Sequence, residues 1–311
     1  MIELSVVLIK SGTIESLGRC LERLEPQVRE RPYEIIVPVD IYFGKDNGLR
    51  ERFPQVRFLT LEKTPSRSTP GSFLHRHDLF EHRVAGGLSA ARGEVVGLLQ
   101  DTFLPDPDWC EKTLAGHRQL PHAVIGGAVE QAGKGALAWS VYFLEFSRYM
   151  QPLPEGPADY IADVNVAYKR RAIEQLRPLF RPRYNEAVAH WTLKANGEVL
   201  WLYAPMVVRQ DRGRLTVRQL VGERLSWGSV FGAARAHKIS WPMRVVYVLA
   251  SPLIPFLRVA RVGRKVLAAG RNIGPFLFSF PALFAMAVLW SAGEAFGCLT
   301  GRPAPHGDSS A

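Results

Sequence analysis

Hydrophobic positions along the first two thirds of the chain keep two rhythms. Short runs rich in β-branched residues, LSVVLI (4–9), EIIVPV (34–39), VRFLTL (56–61) and EVVGLL (94–99), read as buried strands. Between the first two, Ile14, Leu17, Leu21 and Leu24 share one helical face behind Ser11-Gly12-Thr13, and Pro26 marks the expected end of that helix. Residues 64–78 (TPSRSTPGSFLHRHD) are turn-rich and read as a mobile loop. HRVAGGLSAARG (82–93) reads as a helix of small residues that packs closely. Strand, helix and strand in this order indicate a parallel α/β sheet. Further along, 109–120 reads as a helix, 123–129 as a strand, and 137–150 as an aromatic, apolar helix. Residues 160–169 lead into a helix near 171–176. A helix over 185–195 stops at Asn196-Gly197, 199–203 is a last strand, and 218–237 is a basic amphipathic helix.

After Trp241 the pattern changes. VVYVLASPLIPFL (245–257) is apolar but short and holds two prolines, below the roughly 20 residues a bilayer span needs. IGPFLFSFPALFAMAVLWSA (273–292) reaches that length. Between them stand Arg258, Arg261, Arg264, Lys265 and Arg271 with no acid. A two-span hairpin would put this cationic loop outside, against the positive-inside rule. The expectation is therefore an interfacial first segment, with the second spanning once or lying in the membrane surface. The plain alternative is a helical subdomain packed on the core. The tail from Arg302 to Ala311 reads as polar and disordered.

Charge sharpens this division. Residues 201–311 hold 14 of the 39 Lys and Arg but only 4 of the 29 Asp and Glu, so the net +10 lies entirely in the last third. Basic charge beside apolar helices points to anionic lipid. No recognition-helix, zinc-finger or RNP-like pattern points to nucleic acid. With 311 residues and 47% apolar composition, the chain can bury a sizeable core. Three scattered cysteines (Cys20, Cys110, Cys298) argue against a disulfide framework and for a reducing compartment. The first residues lack the pattern of a signal peptide, so the N-terminal part is expected in the cytoplasm.

Ligands of open α/β sheets bind beyond the carboxyl ends of strands, and Asp40 and Asp101 both stand at such ends. The segments LSVVLIKSGTIESLGRCLERLEPQ, YEIIVPVD, AGGLSAARGEVVGLLQD, LPDPDW, NVAYKRRAIEQL, YNEAVAHWTLKANGEVLWLYAP and ERLSWGSVFGAARA follow one another in an order that resembles the family 2 glycosyltransferases of the GT-A fold. The resemblance covers most of residues 4–238. It implies a GT-A nucleotide-sugar-binding domain over 1–238, a mostly parallel central sheet flanked by helices. A membrane-associated helical region over 239–301 and a disordered tail over 302–311 follow.

What the resemblance implies chemically is inverting displacement at a sugar carbon bearing a nucleoside diphosphate. The leaving group needs charge compensation from a metal, basic residues or helix ends. The acceptor hydroxyl needs a general base. Asp40 matches the acid that holds base or ribose, the alternative being a turn cap. Ser11 lies on the same edge as a second nucleotide contact or a helix N-cap. Asp101 matches the middle of an acidic triplet that here reads Gln100-Asp101-Thr102. A divalent ion (Mg²⁺ or Mn²⁺) implied by the family would have Asp101 as its carboxylate, since Gln and Thr are poorer ligands. Asp106 or Asp108 could add an oxygen or simply shape the turns at Pro105 and Pro107. Glu186 falls at the catalytic-base position, with His190 one helical turn on to share or orient its proton. Glu145, Asp163 and Asn165 are candidates for the acceptor side or for buried hydrogen bonding. Arg224 and Trp227 match an element closing over the donor, the alternative being a basic helix face resting on lipid. His75, Arg76 and His77 read as loop residues. The implied activity is transfer from a nucleotide-sugar donor to a lipid-linked or envelope-glycan acceptor at the cytoplasmic membrane face. The alternative is an inactive nucleotide- or glycan-binding scaffold at the membrane.

Overall fold

Six consecutive fully buried residues make Leu4–Ile9 (β1) the spine of a mixed sheet. The computed structural model describes residues 1–62, 73–180 and 184–302. In chain order the elements after β1 begin with α1 (Ile14–Val28), β2 (Tyr33–Val39), α2 (Leu49–Arg52), β3 (Val56–Thr60), α3 (Phe73–Ala90), β4 (Val95–Gln100), β5 (Phe103–Pro105), α4 (Trp109–Gln119) and β6 (Val124–Gln131). They continue with α5 (Ala136–Phe146), β7 (Gly156–Pro157), β8 (Asn165–Lys169), α6 (Arg170–Leu176), α7 (Glu186–Ala195) and β9 (Leu200–Gln210). The last four are α8 (Val217–Ala236), α9 (Trp241–Ala250), α10 (Ile254–Ala269) and α11 (Ile273–Thr300).

The fold is α/β, a central sheet flanked by helices, with apolar helices at the C-terminal end. Among the described residues the sheet has nine strands in the order β3-β2-β1-β4-β8-β6-β9-β5, with β7 on β9. β3, β2, β1 and β4 are parallel, and so are β6 and β9. β8 is inserted antiparallel between β4 and β6. Its first residue, Asn165, therefore pairs with Leu99 at the end of β4. This register brings the chain before β8 to the carboxyl ends of the parallel strands.

Two compact units divide the chain. The first comprises the described residues of Met1–Arg67, His77–Ala132 and Tyr149–Gly213; the second comprises those of Ser68–Arg76, Gly133–Arg148 and Arg214–Ala311. In the first, Val7, Ile9, Val96, Leu98 and Val166 from the strands meet Val84 and Leu88 of α3 and Ala172 and Ile173 of α6 in one core. Helix α1 does not stop at Pro26, as the pattern suggested, but runs to Val28, because Val28 continues the buried face of Leu17, Leu21 and Leu24. The expected loop over 64–78 is also corrected at its end: α3 begins at Phe73, so His77 is helical and pairs with Glu81 at 3.5 Å, while His75 is buried. Residues 63–72 of that stretch, and 303–311 of the expected tail, lie outside the described residues.

In the second unit, α8 and α11 meet backbone to backbone. A Cβ on Gly228, Gly232, Gly293 or Gly297 would fall within 2.4 Å of a carbonyl oxygen of the facing helix. Two small-xxx-small pairs thus interlock, a packing mode suited to helices that gain little from apolar burial. Leu220 of α8, Val141 of α5 and Met286 of α11 fill the space beside this contact. Trp241–Ala269 and Ile273–Thr300 are both long and apolar enough to cross a bilayer. The first corrects the expectation drawn from 245–257. Pro252 and Pro255 stand in the first turns of a 3₁₀ segment (Ser251–Leu253) and of α10, where a missing N–H breaks no helical bond. Leu249, Leu253, Phe256, Leu257, Leu277 and Phe278 are each more than 60% exposed.

The glycine contact yields a contrast. Gly297→Leu is expected to cost at least about 1–3 kcal/mol through overpacking. Gly222→Ala, on α8 with open space around it, is expected to stabilise by about 0.8–1 kcal/mol through helix propensity. Thermal unfolding of both variants in neutral detergent checks the pair; equal destabilisation would refute the close contact.

Candidate functional site

At the carboxyl ends of β1 and β4, where the strand order turns back, Asp101 is fully buried. Four protein donors fill its carboxylate. Ser11 N–H and Gly12 N–H, both at 2.9 Å, and Ser11 Oγ at 3.0 Å donate to Oδ1, and Ser16 Oγ donates to Oδ2 at 2.9 Å. Burial raises its pKa, while these hydrogen bonds pull the other way. Asp101 thus faces inward and holds the loop between β1 and α1, and its oxygens are spent. Gly12 is required here: a Cβ would sit 2.6 Å from Ser16 Oγ and 2.8 Å from Thr102 Cγ2.

Asp40, at the end of β2, is engaged as well. Arg83 of α3 donates to both of its oxygens, Nε to Oδ2 at 2.8 Å and Nη2 to Oδ1 at 3.0 Å, and also to the Lys10 carbonyl at 2.6 Å. The two side chains are 8% and 1% exposed, so this is a buried bidentate pair. Asp40 also caps its own turn, accepting from Tyr42 N–H at 2.9 Å. Lys10 ends β1 beside them, its ammonium 5.7 Å from the Phe43 ring. Burial first, and then the Arg83 guanidinium, lower its pKa. Sequence reasoning missed Lys10 and Arg83. Lys10 was open to notice, directly before Ser11 at a strand end; Arg83 was hidden in a helix 43 residues along the chain from Asp40.

The antiparallel β8 delivers Asp163 to the same edge. Gln100 Nε2 donates to Asp163 Oδ1 at 3.0 Å, and burial pushes the Asp163 carboxyl up to about 7. Its backbone N–H in turn faces the carboxylate of Glu186, the first residue of α7. Burial raises the Glu186 pKa well above the ordinary range. The Tyr160 hydroxyl donates to Glu186 Oε2, and the Tyr160 ring meets His190 edge-on at 5.3 Å. His190 is fully buried, and neither ring nitrogen has a hydrogen-bond partner among the described residues. Burial lowers its pKa to about 4, which keeps it neutral. The expected proton sharing between Glu186 and His190 is therefore not formed; Tyr160 touches both instead.

Other expected residues have structural partners. Asn165 accepts from the Trp109 indole at 2.8 Å and donates to the Ala128 and Met206 carbonyls, so it is core rather than an open acceptor contact. Trp109 packs on Gly97, where a Cβ would come within 2.5 Å of the indole. Asp106 is held by Arg209 at 2.6 Å, and Asp108 starts α4. Glu145, Arg224 and Trp227 belong to the second unit, where Arg224 is paired with Glu145. Among the described residues, no group of three His, Cys, Asp or Glu could hold a metal. With Asp101 enclosed and Gln100 turned to Asp163, the triplet residues do not fit a divalent ion. A cavity of about 430 Å³, lined by Glu3, Glu94, His117, Arg118 and Lys169, opens at the opposite edge, where β4 starts and β8 ends.

No known protein-family profile matches the chain, and no curated protein matches it in sequence. Among solved structures it is similar to a mannosyltransferase from Pyrobaculum calidifontis in complex with GDP-Man and Mn²⁺, with 13% identity and a TM-score of 0.53, over 94% of this chain and 86% of that one. A second similar structure is described as a mycobacterial protein, with 18% identity and a TM-score of 0.46, over 71% of each chain. The first similarity is one of fold, over most of both chains.

Asp163 gives a pH-dependent prediction. Its carboxyl holds a proton up to about pH 7 when folded but loses it near 4 when unfolded, so this group's contribution to stability falls as pH rises between those values. Asp163→Asn keeps the acceptor for Gln100 and removes the titration. Its melting temperature relative to wild type should rise from pH 5 to pH 8; an unchanged difference would refute the assignment.

Proposed function

We propose that the chain is an inverting glycosyltransferase. It would transfer a sugar from a nucleotide-sugar donor to a lipid-linked or envelope-glycan acceptor at the cytoplasmic membrane face. The observation carrying this reading is a half-buried carboxylate, Glu186, linked through Asp163 to the end of β4 and already accepting a hydroxyl hydrogen bond, within a glycosyltransferase-type fold. An acceptor hydroxyl replacing Tyr160 would make the same bond and pass its proton to Glu186 as oxygen attacks the sugar carbon. The diphosphate leaves at the edge where Asp101 holds the β1–α1 loop. Lys10 supplies positive charge there. Arg83 and Asp40 fix the strand ends around the nucleotide, and Ser11 presents its loop to it. Because the triplet does not fit a metal, no step is drawn through Mg²⁺ or Mn²⁺. The exposed apolar helices and the basic last third support docking to anionic lipid.

The second reading is a GT-A-like scaffold that binds nucleotide or glycan without turnover. It is favoured by the complete engagement of the Asp101 and Asp40 carboxylates.

The test uses full-length protein with membranes, a panel of nucleotide sugars, and divalent metal present or absent. Glu186→Gln should lower transfer by about 100-fold or more while donor binding stays unchanged. Because Glu186 must ionise to act and burial raises its pKa well above the ordinary carboxylate value, wild-type turnover should still be climbing at pH values where an ordinary carboxylate is fully ionised. Donor binding with no turnover in either protein would favour the scaffold; neither binding nor turnover would sink both readings.

A further inference from the structure

Around the ends of β1 and β4 the carboxylates face protein. Asp40 is held on both oxygens by Arg83, Asp101 by four donors, and Asp163 by the Gln100 amide. Asp211 follows β9 and donates its backbone N–H to the Thr102 carbonyl at 2.7 Å; its carboxylate is paired with Arg19 at 3.2 Å. Glu15, exposed in the first turn of α1, has the Thr13 side chain as its partner. A divalent ion gathers several oxygens, preferably of carboxylates, and here it would have to break protein contacts to do so.

Lys10 is in the converse position. Ile9, the last residue of β1, pairs with Gln100, so Lys10 leaves the sheet beside Asp101. Its carbonyl accepts from Arg83, but its ammonium makes no hydrogen bond or ion pair among the described residues and lies 5.7 Å from the centre of the Phe43 ring. Arg83 is spent on Asp40 and on that carbonyl, and Arg19 is paired with Asp211. Burial and the Arg83 guanidinium disfavour the Lys10 charge by more than Asp101 and Asp40 favour it. An anion set against the ammonium would offset both effects. The acids of this edge are closed and its ammonium is open, the reverse of what a cation needs and what an anion needs.

We propose that this edge takes its nucleoside diphosphate free of metal, with the Lys10 ammonium, in place of a divalent ion, contacting the phosphate oxygens. The ligand is the donor half of the transfer reading and rests on it; the sign of the metal effect follows from Lys10. Mg²⁺ bound to a diphosphate compensates the same charge and occupies oxygens of the same group, so it competes with Lys10 rather than assisting it.

The experiment titrates UDP, GDP, ADP and CDP into the full-length protein in neutral detergent by calorimetry, first in EDTA and then in saturating Mg²⁺ or Mn²⁺. Arg31→Gln removes an exposed cation just before β2, at the opposite edge of the sheet, and serves as the charge control. The nucleotide that binds best should bind in EDTA, and either metal should weaken it. Lys10→Gln should weaken binding in EDTA about tenfold, the worth of a charge-assisted contact. In that variant the metal effect should vanish. Lys10→Arg should restore part of the loss, and Arg31→Gln should leave affinity unchanged. Equal losses in Lys10→Gln and Arg31→Gln would reduce the effect to diffuse charge and overturn the contact. Binding that requires Mg²⁺ or Mn²⁺, or is strengthened by either, would overturn metal-free binding and leave the transfer reading standing. If Lys10→Gln melts early, the sign of the metal effect on the wild-type protein decides the matter alone. Absence of binding by all four nucleotides under every condition would remove the donor itself, and with it both this site and the transfer reading.

Discussion

A single buried carboxylate organises the sheet edge on which the candidate site stands. Asp101 has been taken from water, which disfavours its charge, and that cost is offset only because four donors from one short stretch of chain converge on it. Two of those donors are backbone N–H groups of consecutive residues. The loop after β1 is therefore tied to the end of β4 beyond the pairing of the two strands themselves. Everything that contacts this edge inherits the constraint: Lys10 one residue before the loop, Ser16 in the first turn of α1, and Gln100 just before Asp101.

The antiparallel insertion of β8 extends that constraint across the sheet. A parallel strand beside β4 would place its carboxyl end at this edge and send the preceding residues away. An antiparallel strand places its beginning there, and with it Asp163. Gln100 then occupies Asp163, Asp163 offers its backbone to Glu186, and Glu186 is reached by Tyr160. Gln100 thus works as a hydrogen-bond donor within the protein. In physical terms, the neutral Gln100 amide gives its buried neighbour a hydrogen bond without bringing a second charge to the edge. Burial pushes the Asp163 carboxyl up to about 7 even though the Gln100 amide pulls the other way.

Much of this arrangement was legible in local pattern. The strand ends at Asp40 and Asp101, the helix opening at Glu186 and the Trp109 anchor all follow from runs of apolar residues and the turn residues that close them. Roles were less legible, because a carboxylate facing a ligand and one facing its own loop look alike in sequence. What separated them was the partner. Arg83 sits 43 residues from Asp40, and Ser11 sits 90 from Asp101. Tyr160 intervenes between two residues of α7 that helical spacing alone would join. The direction of β8 was likewise invisible, since a run such as NVAYK alternates identically in either sense.

The second unit shows the same principle with backbone in place of side chains. Where Gly228 and Gly232 meet Trp290 and Glu294 of α11, no side chain separates the helices, and their relative position is set by carbonyl oxygens rather than by adaptable apolar packing. A contact of that kind has little room to slide. Trp290 and Glu294 are therefore held in register with Arg224, one turn before Gly228, and Arg235, one turn after Gly232. Arginines on a loosely packed apolar helix would turn toward water, as snorkelling side chains do. Here the glycine contact holds Arg224 inward, and a buried guanidinium must then find oxygen. Glu145 answers part of that requirement and leaves Nε unanswered. The charge inside this apolar unit is thus a consequence of how closely its two longest helices are allowed to approach.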